Sequence, residues 1–237
     1  MVFGREKEID ILPLQLPTLT LGASNIKRCF FTKFLGVVID ESLTWSRQIR
    51  MIESKISKNI GVIGMARRHL SFPAARSLYF AYIQPYISFG NIAWGSTNKT
   101  KLQKIHKLQK KAVRIISYAT KTAHSRPLMK LHNMLNIYEV NIFQTLSFLY
   151  KHQHNMLPTV FGNYFERINH CYKSRLTKFG YKEKFSKGKG RFSITSRGPF
   201  LWNRVPCNSA KESSTLRMFS QELKKILLES VDQTPLW

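Results

Sequence analysis

Acidic residues are scarce and unevenly placed: the chain has 13 Asp and Glu against 38 Lys and Arg, and no acid lies between Glu53 and Glu139. The 85 residues from Ser54 to Tyr138 carry 15 Lys or Arg with nothing to balance them. A formal charge of +25 repels itself unless a polyanion neutralises it, so nucleic acid is the expected class of partner. Paired aspartates are also missing. Two-metal polymerase or nuclease chemistry needs closely set carboxylates to hold the ions that stabilise the attacking and leaving oxygens. Asp40 and Glu41 are neighbours, but their place before Ser42-Leu43-Thr44-Trp45 reads as a turn or cap leading into a helix. No catalytic residue and no metal ligand is assigned.

Cysteine is rare too. Cys29, Cys171 and Cys207 are too few and too scattered for a disulfide framework, and no C-x₂-C spacing is present to fix a zinc. His152 with His154, and His170 with Cys171, therefore read as solvated or core side chains. The opening "MVFGREKEID" has charges where a signal peptide would need an apolar stretch, so a reducing intracellular compartment, nucleus or cytoplasm, is expected. Long apolar runs are absent as well: Leu78 to Trp94 comes nearest, but Gln84, Pro85, Ser88, Gly90 and Asn91 interrupt it. A membrane span wants about 20 mostly apolar residues, so this stretch reads as a buried, kinked core helix and no membrane partner is expected. "SKGKGRF" is too short for a phosphate-binding Walker loop and reads as a flexible basic loop.

What is present is enough apolar material, 43% of the residues, to build a sizeable core. The first forty residues alternate like strands, with Gly22-Ala23-Ser24-Asn25 as a hairpin turn, and "KFLGVVIDESLTW" (Lys33 to Trp45) reads as a strand that stops at the acidic turn. From Ser46 the period changes. Ile49, Ile52, Ile56, Ile63 and Ala66 share one face of a helix running to about Arg68. Pro73 sits where the next helix can start, and Pro85 should kink or end it, with a loop over Gly95 to Asn98.

The most legible element is the helix from about Lys99 to Tyr118. At about 100° per residue, Leu102, Ile105, Leu108, Ala112 and Ile116 fall on one side and Lys104, Lys107, Lys110, Lys111 and Arg114 on the other. One face is a core stripe. The other is a positive stripe with no acid alternating into it, which suits backbone phosphates better than simple solubility. Further helices are expected at Pro127 to Leu135, Glu139 to His152 and Ser214 to Ser230, with a Lys- and Gly-rich loop and a short β pair before the last. The fold class is thus mainly α with small β elements (α+β): an N-terminal β hairpin, a helical bundle, then a C-terminal loop, short β pair and helix.

"KFLGVVIDESLTW", "LYFAYIQPYISFGNIAWG", "LQKKAVRII", "PLMKLHNMLNI" and "GPFLWNRVP", taken in this order and spacing, resemble the region after the palm in non-LTR (LINE-type) retrotransposon reverse transcriptases. The resemblance covers roughly Leu19 to Leu228. It implies that residues 1–44 are the end of a palm, 45–170 a basic thumb-like domain gripping template-primer duplex, and 171–237 a C-terminal region. It further implies that Lys33, Leu35 and Gly36 lie near the primer end. The aspartates and their Mg²⁺ would belong to a palm upstream of Met1, so the chain would need no cofactor, would not polymerise by itself, and would have RNA or DNA and the missing palm and fingers as partners. Two other readings remain open: a stand-alone basic RNA- or DNA-binding protein derived from such an element, and a structural or interaction protein whose lysines only solubilise it.

Overall fold

A computed structural model describes residues 19–168, 180–184, 188–204 and 211–229. Cys171, Cys207, the His170–Cys171 pair and parts of the Lys- and Gly-rich stretch lie outside the described residues, while Gly188–Phe192 of the expected flexible loop forms a 3₁₀ turn.

Two antiparallel hairpins open the fold. Strands β1 (Leu19–Leu21) and β2 (Ser24–Ile26) pair around Gly22, whose φ of +60° closes a turn over Gly22 and Ala23, so Ser24 and Asn25 belong to the strand and not to the turn. Strands β3 (Phe31–Phe34) and β4 (Val37–Asp40) pair in register Phe31 with Asp40 and Phe34 with Val37. This corrects the expectation of one continuous strand from Lys33. Leu35 and Gly36, at φ 45° and 85°, form a two-residue turn, and positive φ at both positions is what a tight hairpin with the native twist requires.

The helical part follows the apolar periodicity. Helix α1 (Ser46–Ala66) buries Ile49, Ile52, Ile56, Ile60 and Ile63 and ends in a 3₁₀ turn over Arg67–His69. The kinked segment breaks into α2 (Phe72–Tyr82), α3 (Gln84–Ser88) and α4 (Asn91–Trp94), with Pro73 and Pro85 each in a first turn, where a missing N–H costs no helical bond. Helix α5 (Lys99–Ile116) packs along α1, followed by α6 (Ser125–Leu131) and α7 (Ile137–Gln153). Asn136 and Glu139 close a reciprocal capping box at the start of α7, so that helix begins two residues before the expected Glu139.

Residues expected to hold part of a short β pair instead form helix α8 (Ile194–Arg204), and the β contact in this part of the described chain is an isolated bridge between Arg167 and Tyr181. Gly198, Pro199, Leu201 and Trp202 are buried at helical spacing, and a Cβ on Gly198 would come 2.8 Å from Leu149 Cδ1. Close approach to α7 therefore fixes this segment, and Pro199, which donates no ladder bond, suits a central strand poorly. Helix α9 (Leu216–Glu229) completes a core that runs as one cluster from Ile49 to Leu228.

The quoted "FGNIAWG" is architectural. Gly90 has φ +61° and a Cβ there would lie 2.9 Å from Val37 Cγ2, while Trp94 is fully buried with its indole N–H donating to the Phe89 carbonyl at 2.9 Å. A Cβ on Gly95 would collide with the Asn91 side chain and carbonyl, and Asn141 on α7 donates to those same two oxygens at 3.1 Å.

Candidate nucleic-acid interface

Helix α5 sorts its side chains by chemistry. Asn98 caps it, accepting from the Thr100 N–H, and Leu102, Ile105, Ala112, Val113 and Ile116 are buried against α1 and the other helices. Gln109 is buried with them. Its amide donates to the Tyr79 hydroxyl and the Leu135 carbonyl, each at 2.9 Å, and its oxygen accepts from the Ile137 N–H at 3.0 Å. That set of three bonds fixes the rotation of α5 about its axis, and so fixes which side chains face outward.

Of the five predicted stripe residues, Lys104, Lys107 and Lys111 are exposed, while Lys110 and Arg114 are half-buried. The Arg114 guanidinium donates to the Ala123 carbonyl at 2.7 Å, tying the end of α5 to the loop before α6. Lys101 points elsewhere: its ammonium donates to the Thr44 carbonyl at 2.9 Å and to Ser46 Oγ at 2.8 Å, joining α5 to the start of α1. His106 sits on the flank of the stripe against the Tyr138 ring. Burial first, then the Lys110 and Arg126 charges, push its pKa down to about 4, so it is neutral at physiological pH.

The acidic turn is capped by its own Asp40, just ahead of α1, whose N-cap Trp45 makes no side-chain capping bond. Asp40 Oδ2 accepts from the Thr44 N–H and Thr44 hydroxyl, both at 2.8 Å, and from Ser42; Oδ1 accepts from the Trp45 N–H at 2.9 Å. Burial alone would raise this carboxyl, but the hydrogen bonds from Thr44, Trp45 and Ser42 outweigh it and hold the pKa below the ordinary value. Both oxygens are committed to holding Leu43 and Trp45 at positive φ, the geometry that starts α1. Glu41 pairs with Arg28 at 3.2 Å.

Lys33, Leu35 and Gly36 sit together at the tip of the β3–β4 hairpin, on a different element from the stripe. Lys33 is exposed, Leu35 is 78% exposed, and a Cβ on Gly36 would come 3.2 Å from the Phe89 ring. Residues the sequence reading did not single out lie on α1, where Arg47, Arg50, Lys55 and Lys58 are exposed, Arg47 with its guanidinium 4.1 Å from the Phe31 ring centre. Removing the buried isoleucine face from α1 would have left these cations visible, as it did on α5.

Among the described residues, no group of three or more His, Cys, Asp or Glu is placed to hold a metal ion. His152 contacts the Tyr181 hydroxyl and the Gly162 carbonyl, each at 3.2 Å, and His154 lies against the Tyr150 ring. No described helix is long and apolar enough to cross a membrane.

Over 106 residues the chain is 30% identical to the RNA-directed DNA polymerase from mobile element jockey of Drosophila funebris, and over 107 residues it is 31% identical to the same polymerase of Drosophila melanogaster. Each match covers 44% of this chain and 12% of the length of the relative. No family model and no solved structure matches. The chain is thus related to a mobile-element RNA-directed DNA polymerase, as its resemblance to non-LTR reverse transcriptases implied, and the part matched is a small fraction of that enzyme.

Proposed function

We propose that the chain is a thumb-like, template-primer-binding part of a non-LTR retrotransposon RNA-directed DNA polymerase, which grips nucleic acid without polymerising it. The observation that carries this reading is α5: three exposed lysines on a helix whose opposite face is locked into the core, in a stretch without an acid from Ser54 to Tyr138. Rigid placement matters because a phosphate contact contributes most when the cation does not have to be ordered on binding. The exposed cations of α1 extend the same surface chemistry.

In this reading Lys33, Leu35 and Gly36 stand near the primer end and the two hairpins dock against the remainder of the polymerase, the palm and fingers. Phe30, Phe31, Phe34 and Leu35 are exposed on the second hairpin, as a sheet fragment awaiting its neighbours would be. That feature favours a part of a larger polymerase over a stand-alone binding protein. With Asp40 spent on its cap, primer extension by this chain is not expected under any metal.

The test is a salt titration of duplex binding with Lys104, Lys107 and Lys111 replaced by Gln. Helix propensity is nearly kept and no buried group changes, so melting should hold within about 0.5 kcal/mol. Affinity should fall, and the log–log salt slope should flatten by up to about 0.9 per contact removed. Binding equal to the parent's at every salt concentration would reduce the stripe to a solvated face.

A further inference from the structure

A cavity of about 530 Å³ opens beside the first turn of α5, between Tyr138 at the start of α7, the 3₁₀ turn Gly188–Phe192 and helix α8. Its lining combines the rings of Tyr138, Phe192 and Phe200 with the cations Lys99, Arg191 and Arg197; the Arg191 guanidinium lies 4.6 Å from the Phe192 ring centre and that of Arg204 3.6 Å from the Phe200 ring centre. The acid on the wall, Glu183, is already engaged by Arg204 at 2.8 Å and Asn203 at 3.2 Å, and Lys184 pairs with Glu166 at 3.2 Å. Ser96 donates to the Phe192 carbonyl at 2.7 Å and so holds the 3₁₀ turn against the body through the backbone, leaving the Phe192 side chain to the cavity.

We infer that this cavity receives one unstacked nucleotide of a single-stranded nucleic acid, its base against the aromatic walls and its phosphate on Lys99, Arg191 and Arg197. The volume is in the range of small-ligand pockets, and a base held inside a duplex is sterically excluded from it. Rings take any base by its π-face, and cations take the phosphate. Burial pulls the Arg197 guanidinium down to about 10. The cavity lies at the N-terminal end of the helix that carries Lys104, Lys107 and Lys111, on the side of its buried Leu102.

The inference rests on the nucleic-acid-binding reading, and the experiment separates the two. Affinity is measured for a short oligouridylate and for a blunt duplex, with the parent chain and with Arg191→Gln combined with Phe192→Ala, which leaves the Ser96 bond to backbone intact. The oligouridylate should lose about tenfold, the worth of one base–aromatic stack with its charge, while the duplex loses less than about twofold. A photoreactive thiouridine in the strand should crosslink to Tyr138, Phe192 or Phe200 of the unaltered chain, a readout that holds even if the double variant folds poorly. Equal loss for both probes, crosslinks confined to α5, or full competition by polyglutamate overturns the cavity assignment and leaves the wider reading standing. If the parent binds neither probe at low salt, both fall.

Discussion

The β3–β4 hairpin and the helical body use apolar residues in opposite ways. Ile56, Ile105 and Trp202 in the body are at most 1% exposed, whereas Phe34 is 62% exposed and Leu35 78%. Local structure is sound in both: the hairpin has a well-formed turn and full pairing of its four residues per strand, and helices α5 and α7 are capped by Asn98 and Asn136. What differs is the layer behind. A two-stranded sheet is marginal until something covers a face, and β4 reaches the body through the Val38 N–H on Gln48 at 2.8 Å and through the Asp40 cap, while all four residues of β3 stay exposed. The body carries its own stability; the hairpin borrows it.

That contrast is broken most severely by placing a charge in the body. Ile105→Asp puts a carboxylate at a fully buried position on the core face of α5, and should cost about 4 kcal/mol or more, enough to unfold a marginal domain. Loss of the cooperative thermal transition checks it. Gln109→Leu comes next. It keeps the volume but strands the Tyr79 hydroxyl, the Leu135 carbonyl and the Ile137 N–H, all buried, at about 3 kcal/mol by the cost of unmade bonds. Chemical denaturation should show an unchanged slope and a lower midpoint.

Much of the body was legible because its periodicity is strong. The isoleucines of α1, the two faces of α5 and the prolines opening α2 and α3 stand where their spacing puts them. The misses have two causes, an unusual backbone angle at one turn residue and long-range partners that local signals do not reveal. Leu35–Gly36 passed for mid-strand because leucine seldom adopts positive φ, α8 passed for strand because what fixes it is Leu149 on another helix, and Gln109 carries no mark of burial. At the candidate interface the outward lysines were readable from the helix pattern, but the bond from Arg114 to the Ala123 carbonyl depends on how a loop returns, which no periodicity encodes.

A pH series sharpens the comparison, since a strongly depressed titrating group lies in the body. His106 has a folded pKa of about 4 against an ordinary 6.5, so the unfolded chain takes up the proton first. Its contribution is complete above pH 6.5 and is lost as pH falls toward 4, about 2 kcal/mol of it by pH 5. Asp40 adds loss in the same direction, but only within the carboxylate range; Glu139, whose pKa is raised by burial despite Arg126, acts oppositely there. His106→Leu should therefore flatten the stability profile between pH 7 and pH 5, and a variant profile parallel to the parent's would remove His106 from the account.

The smallest stability effect belongs to the hairpin and tests whether its exposed face is truly unused within the chain. Phe34→Asp makes the same kind of change as Ile105→Asp, an apolar ring or chain exchanged for a carboxylate, but at a position facing water. The parent ring is 62% exposed and the variant forfeits little burial, so the melting free energy should move by no more than about 0.5 kcal/mol. Association should respond where folding does not: an apolar edge patch is a site for self-contact, and a charge there should lower any concentration-dependent oligomer seen by sedimentation. If Phe34→Asp instead costs about 2 kcal/mol, the ring is packed in the isolated chain, the hairpin completes itself, and no face is left for the remainder of a polymerase to cover.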